Sequence, residues 1–272
     1  MMGKAQRIAL VTGASSGIGR ACAAALSDAG FRVYGTSRSP QTPVQEIDWL
    51  CMDVDRDASV RESIASVLAE SGRIDVVVNC AGFGIGGSVE DSSGEEVHSL
   101  FETNVFGLLR VCQAVLPVMR SQRSGTLINM SSIGGRIALP FQGIYSATKY
   151  AVEGLTESLR MEVRGFGINV VLVEPGDFAT GFTDRRVLVR ASKQNSAYAD
   201  AFSRALKVVE ADERGGAIPE IIGRLVVRIA ETRSPRLRYT VGPVFQRVAV
   251  RLKSMLPARV FEWGLRTYYK IR

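Results

Sequence analysis

Residues 8–19 read IALVTGASSGIG: an apolar run, a turn holding three glycines, and the start of a helix-like stretch. The run from Ile8 to Val11 has no polar alternation, as in a strand covered on both faces of a parallel sheet. Gly13 allows the turn. Gly17 lets backbone approach a pyrophosphate, with Ser15, Ser16 and Ile18 filling the loop around it. Gly19 lets the helix pack closely on the sheet. The first N–H groups of that helix lack intrahelical partners and favour an anion. Glycine-rich turns are common, but one that leaves a first strand and opens a helix has the context of a nucleotide loop.

Working outward, apolar runs alternate with helix-like stretches. Strands are predicted at residues 8–11, 33–37, 49–54, 74–79, 126–131, 168–175 and 237–242. Helices are predicted at 18–29, 58–70, 95–121, 145–164 and 219–231, the third of these disturbed at Pro117. This alternation predicts an α/β, Rossmann-type, doubly wound fold. A seven-stranded parallel sheet would carry helices on both faces and a C-terminal helical extension. Without a repeat or linker, residues 1–272 read as one domain. Residues 177–216 form a helical insertion or lid, and residues 243–272 a basic amphipathic extension.

Composition excludes several classes. No run of about 18 uncharged apolar residues is present, which argues against a membrane-spanning helix. The first residues run straight into a strand, leaving no room for a signal peptide. Cys22, Cys51, Cys80 and Cys112 have no CxxC spacing and read as buried thiols in a reducing cytoplasm. With one histidine, His98, in a solvated helix, no metal cluster is expected. The net charge is +7, but residues 233–272 hold ten Lys/Arg against one Glu, so the basic character belongs to the tail.

Further motifs follow the glycine loop in order. Asn79-Cys80-Ala81-Gly82 ends the fourth strand, Asn104 lies in the long helix, and Ser132 precedes Tyr145 and Lys149. Pro175-Gly176 follows the sixth strand, with Phe178 and Thr180 just beyond. Thr-Gly-x-x-x-Gly-x-Gly with these motifs resembles the short-chain dehydrogenase/reductase family, over residues 8–181. Cys80 replaces the family's second asparagine. The resemblance implies a catalytic set of Asn104, Ser132, Tyr145 and Lys149, with Asn104 holding a water behind Lys149. It also implies cofactor contacts from the glycine loop, Asn79, Ala81, Gly82, Tyr145, Lys149, Pro175, Gly176, Phe178 and Thr180, with Asp53-Val54 at the adenine. Glu174 stands where the family often has asparagine and reads as structural.

The second strand ends in Ser37-Arg38 with no acid. An acid there would accept from a ribose 2′-hydroxyl, whereas an arginine fork suits a 2′-phosphate, so NADP(H) is favoured over NAD(H). Arg20 is a second, weaker candidate. Free tyrosine has a pKa of about 10. The charge of Lys149, one helical turn on, together with that of the oxidised nicotinamide, should lower it, and Ser132 would donate to the substrate oxygen as charge develops.

Phe83, Ile85, Ile133, Leu139, Phe141, Phe178 and Phe182 suggest a lipophilic carbonyl/alcohol substrate, and the tail, the Val173-Glu174-Pro175-Gly176 stretch and the long insertion resemble the hydroxysteroid and retinol dehydrogenase side of the family. The alternatives are a 3-oxoacyl thioester reductase and a non-catalytic NADP(H)-sensing protein. In the tail, Val244, Val248, Leu252 and Met255 fall on one helical face, and Phe261, Leu265 and Tyr268 extend the stripe. The segment reads as a docking helix, with peripheral membrane contact as the second reading. No motif supports nucleic-acid binding. The family commonly pairs the helices after Glu95 and Tyr145 between subunits, which implies a homodimer or homotetramer.

Overall fold

The structure, a computed structural model, describes residues 6–39, 41, 47–193 and 197–271. Residues 1–5, where the signal-peptide reading rests, lie outside the described residues, as do 194–196 of the expected lid and Arg272 of the tail. In chain order the elements are β1 (Ile8–Thr12), α1 (Gly17–Asp28), β2 (Arg32–Ser37), β3 (Ile47–Cys51), α2 (Asp57–Ser71), β4 (Val76–Asn79), β5 (Ile85–Gly86) and α3 (Gly94–Phe101). There follow α4 (Leu108–Gln122), β6 (Gly125–Met130), α5 (Gly143–Val163), β7 (Ile168–Pro175), β8 (Val187–Leu188), α6 (Ala199–Arg214), α7 (Glu220–Glu231), β9 (Arg238–Val241), α8 (Val244–Lys253) and α9 (Ala258–Tyr268).

Seven strands form one parallel sheet in the order β3-β2-β1-β4-β6-β7-β9, as predicted. Successive side chains of a strand point to opposite faces. Leu10, Val77, Leu127 and Val170 therefore meet Val60 and Ile64 of α2, Val111 and Val115 of α4, and Val152 of α5. Val11, Val78, Ile128 and Val171 meet Ala23 and Leu26 of α1, and Ile222, Val226 and Ile229 of α7. Gly223 brings α7 against α1: a Cβ there would stand 2.5 Å from the Ala21 carbonyl oxygen. Strand order reverses between β1 and β4, and a crevice opens at their C-terminal ends.

Five sequence expectations are corrected. The helix predicted over 95–121 is interrupted by a π-helical turn at Glu102–Gly107, and α4 continues through Pro117. Buried Val115 and Met119 hold the proline turn in place, while Gly107 lets the π turn close on Val54. The third strand lies at Ile47–Cys51, set by its register with β2, and Cys51 is exposed rather than buried. The expected apolar stripe Val244, Val248, Leu252 and Met255 faces solvent. α8 docks instead through Gln246 and Val250, because Val250 and Ala249 find Ile133, Ile137, Phe261 and Leu265. Residues 177–216 carry α6, and their short strand β8 pairs with β5.

Candidate active site

The crevice is a cleft of about 1170 Å³. At one end lies the loop between β1 and α1. Gly13 and Gly17 have φ of 63° and 54°, which glycine adopts without strain. A Cβ on Gly13 would stand 3.0 Å from Ala81, and one on Gly19 would stand 2.2 Å from the Gly13 carbonyl oxygen. The first turn of α1 has no acidic residue and no side-chain cap on its N–H groups. This open cradle fits a pyrophosphate. Ser15, Ser16, Ile18, Ser37, Arg38, Asp53 and Val54 also line the cleft, and the Arg38 side chain is exposed. Arg20 is exposed and does not line it.

At the other end, Ser132 follows β6, while Tyr145 and Lys149 are one turn apart on α5. All three line the cleft, with Ala81, Gly82, Pro175, Gly176, Phe178 and Thr180. Lys149 Nζ donates to the Met130 carbonyl oxygen at 2.9 Å and sits 5.7 Å from the Tyr145 ring centre. Burial lowers the Lys149 pKa to about 8. Burial also raises Tyr145 to about 12, partly opposed by a hydrogen bond with Ser132. In the protein alone desolvation of the phenolate dominates, so Tyr145 keeps its proton at neutral pH.

Asn104 lies on the π turn and is buried. Its Oδ1 accepts from Phe83 N at 3.0 Å, and its Nδ2 donates to Phe83 O at 3.0 Å and Thr148 Oγ1 at 3.2 Å. Both amide protons are thus engaged, and the side chain props the loop after β4. A Cβ on Gly82 would stand 2.9 Å from Asn104 Oδ1. Asn79 departs from expectation: its side chain turns into the core, donating to Asn129 Oδ1 at 2.9 Å, and it does not line the cleft. Glu174 is fully buried and bound by Arg136, Arg238 and Thr240, which accords with the structural reading.

Phe83, Ile133, Leu139 and Phe182 line the outer cleft, and Phe182 meets Tyr145 edge-on at 5.9 Å. Ile85 and Phe141 do not line it; Phe141 packs on Tyr198 and Phe202 of the insertion. The sequence reading missed three cleft groups. Arg185 reaches back over the glycine loop and donates to Ser16 Oγ at 2.5 Å. Asp177, pushed by burial to a pKa of about 6, accepts from Gln246 of α8. Only the lone glutamine on the tail's inner face hinted at this pair; no local signal marked Arg185.

The chain belongs to the short-chain dehydrogenase family, whose sequence profile matches residues 7–188. It is therefore an oxidoreductase of carbonyl/alcohol pairs and uses a nicotinamide cofactor. It is 46% identical over 266 residues to a 3-ketodihydrosphingosine reductase of Bacteroides thetaiotaomicron, covering 98% of this chain and 99% of that one. A short-chain dehydrogenase of Streptomyces avermitilis superposes with a TM-score of 0.83 at 34% identity, covering 96% and 97% of the two chains. A short-chain dehydrogenase/reductase of Burkholderia phymatum in complex with NAD gives 0.78 at 26% identity, covering 94% and 95%.

Proposed function

We propose that this chain is an NADP(H)-dependent reductase of a lipophilic ketone, acting through Tyr145. The observation that carries the reading is one continuous cleft. It has a glycine cradle at one end, Ser132, Tyr145 and Lys149 at the other, and an apolar outer wall. The similarity to a 3-ketodihydrosphingosine reductase supports a long-chain ketone in particular. Arg38, beside Ser37 with no acid at the strand end, favours a 2′-phosphate and hence NADP(H).

When bound, the nicotinamide supplies a hydride to the carbonyl carbon and, once oxidised, a positive charge in the site. Tyr145, protonated at neutral pH, gives its hydroxyl proton to the carbonyl oxygen. Ser132 donates to the same oxygen as negative charge develops there. Lys149 holds the cofactor ribose and returns a proton toward Tyr145, and Asn104 fixes the backbone behind them. In this reading residues 1–272 act as one domain, and residues 177–216 cover the substrate. The chain works in the cytoplasm with peripheral membrane contact. Exposed Phe106 on the π turn, with Leu155 and Met161 on α5, supports a homo-oligomer.

The test is NADPH and NADH oxidation at 340 nm over a panel of long-chain ketones, steroids, retinal and 3-oxoacyl thioesters. Turnover of a long-chain ketone with NADPH is the expected result. A preference for NADH would overturn the Arg38 argument, and exclusive turnover of thioesters would overturn the substrate class. Tyr145→Phe is expected to lower turnover at least about 100-fold while NADPH still binds, read by nucleotide fluorescence. Turnover retained in that variant would remove Tyr145 from the mechanism.

A further inference from the structure

We infer that the outer face of α8 and α9 docks on an anionic bilayer and sets the mouth of the cleft against the lipid. The inference rests on the lipophilic-substrate reading and names where that substrate comes from.

The inner face of the two helices already has partners. Val250, Ala249, Phe261 and Leu265 pack on Ile133, Ile137 and Leu139. The outer face is therefore surplus to the core, yet it is apolar. Val244 and Trp263 are each 70% exposed and Met255 76%, with Phe245, Val248 and Val260 exposed beside them. An apolar surface of this extent, gathered on two adjacent helices, marks an interaction site.

Charge selects the partner. Arg247 and Arg251 are one turn apart on α8 and next to the row Val244, Val248 and Leu252. Arg259 and Arg266 lie two turns apart on α9, beside Trp263. All four are exposed, and Glu262 is the one acid in residues 244–271. Apolar side chains with arginines around them and a tryptophan between match the boundary of acyl chains and anionic headgroups. A second copy on the same face would bring these arginines against each other. Neither helix is long enough to span, so contact is in the plane of the surface. Position supports the same partner: Phe245, Leu252, Leu256, Val260 and Trp263 also line the cleft, so the docking face and the cleft mouth are continuous. A long-chain ketone can then pass from lipid to Tyr145 without crossing water.

The test uses the full-length protein without cofactor or substrate. It is sedimented with vesicles of phosphatidylcholine and phosphatidylglycerol in equal parts, and with phosphatidylcholine alone. Binding to the anionic vesicles is expected, weakening with salt, with a blue shift of tryptophan emission. Arg247→Glu/Arg251→Glu should weaken that binding by at least about tenfold and leave reduction of a water-soluble ketone in vesicle-free buffer unchanged. Absence of binding, or binding indifferent to the charge reversal, overturns the proposal. So does a concentration-dependent dimer that shields Trp263 and stays off vesicles. Because no substrate is present, a negative vesicle result leaves the ketone reading standing, and a silent ketone panel leaves a positive vesicle result standing.

Discussion

Lys149 keeps an ammonium group buried under the cleft, where it donates to the Met130 carbonyl oxygen at 2.9 Å. Burial lowers its pKa to about 8. In the unfolded chain a lysine holds its proton to about pH 10.4. Between these values the unfolded chain binds more protons than the folded one, so stability rises with pH across that window. Below it, the fold bears the full cost of the desolvated charge. Lys149→Met is expected to stabilise the protein at pH 7 by about 1–3 kcal/mol, net of the lost hydrogen bond. The gain should shrink as pH rises from 8 to 10. Urea unfolding at both ends of that range checks it, and an equal gain at both would trace the effect to packing. On the proposed mechanism the same variant loses turnover, so the residue is retained at the expense of stability.

At the scale of elements, the π turn between α3 and α4 carries the most information. Such turns disturb the regular helix and are frequent at functional sites. Here the turn points Asn104 at both backbone groups of Phe83 and at Thr148, whose hydroxyl donates to the Tyr145 carbonyl oxygen at 2.7 Å. One side chain thus ties the helix to the loop after β4 and to α5. Asn104→Ala would leave the Phe83 N–H and carbonyl without partners. Stability should fall by about 2–4 kcal/mol, read by urea unfolding. A change smaller than about 0.5 kcal/mol would mean that the surrounding groups pair again without it.

Across the whole molecule, packing is uneven. The sheet divides two large apolar clusters between α2, α4 and α5 on one side and α1 and α7 on the other. α8 contributes only Gln246 and Val250 to the buried interior, and α9 contributes none. Few buried contacts mean a low free energy of local opening. Backbone amides of α8 and α9 should exchange with deuterium at least about 100-fold faster than those of β1, β4 and β6, in the absence of vesicles. Mass spectrometry of the exchanging protein reads this directly. Equal protection would show that the tail opens only with the body.

Local chemistry and period decided the first part of this protein. The central strands β1, β4, β6 and β7 could be read because each is a largely apolar, buried run bounded by turn residues, whereas the bounds of β3 came from its register with β2. The glycine cradle could be read because a backbone at positive φ and a helix in van der Waals contact with a strand leave room for glycine alone. Ser132, Tyr145 and Lys149 could be picked out because, with the glycine loop and the motifs around them, they resemble the family's ordered set; one helical turn puts the last two on one face of α5. The tertiary structure decided the rest, where an equal local pattern has two outcomes. The tail's periodicity shows an apolar stripe but not which stripe meets the core; Ile133 and Ile137 settle that, and they lie more than a hundred residues away. Asn79 turns inward because Asn129 of the neighbouring strand pairs with it, and Glu174 is held by arginines before and after it in the chain. Arg185 meets Ser16 across 169 positions of sequence. In each case the deciding energy is a contact between distant segments, which forms only once the sheet has brought them together.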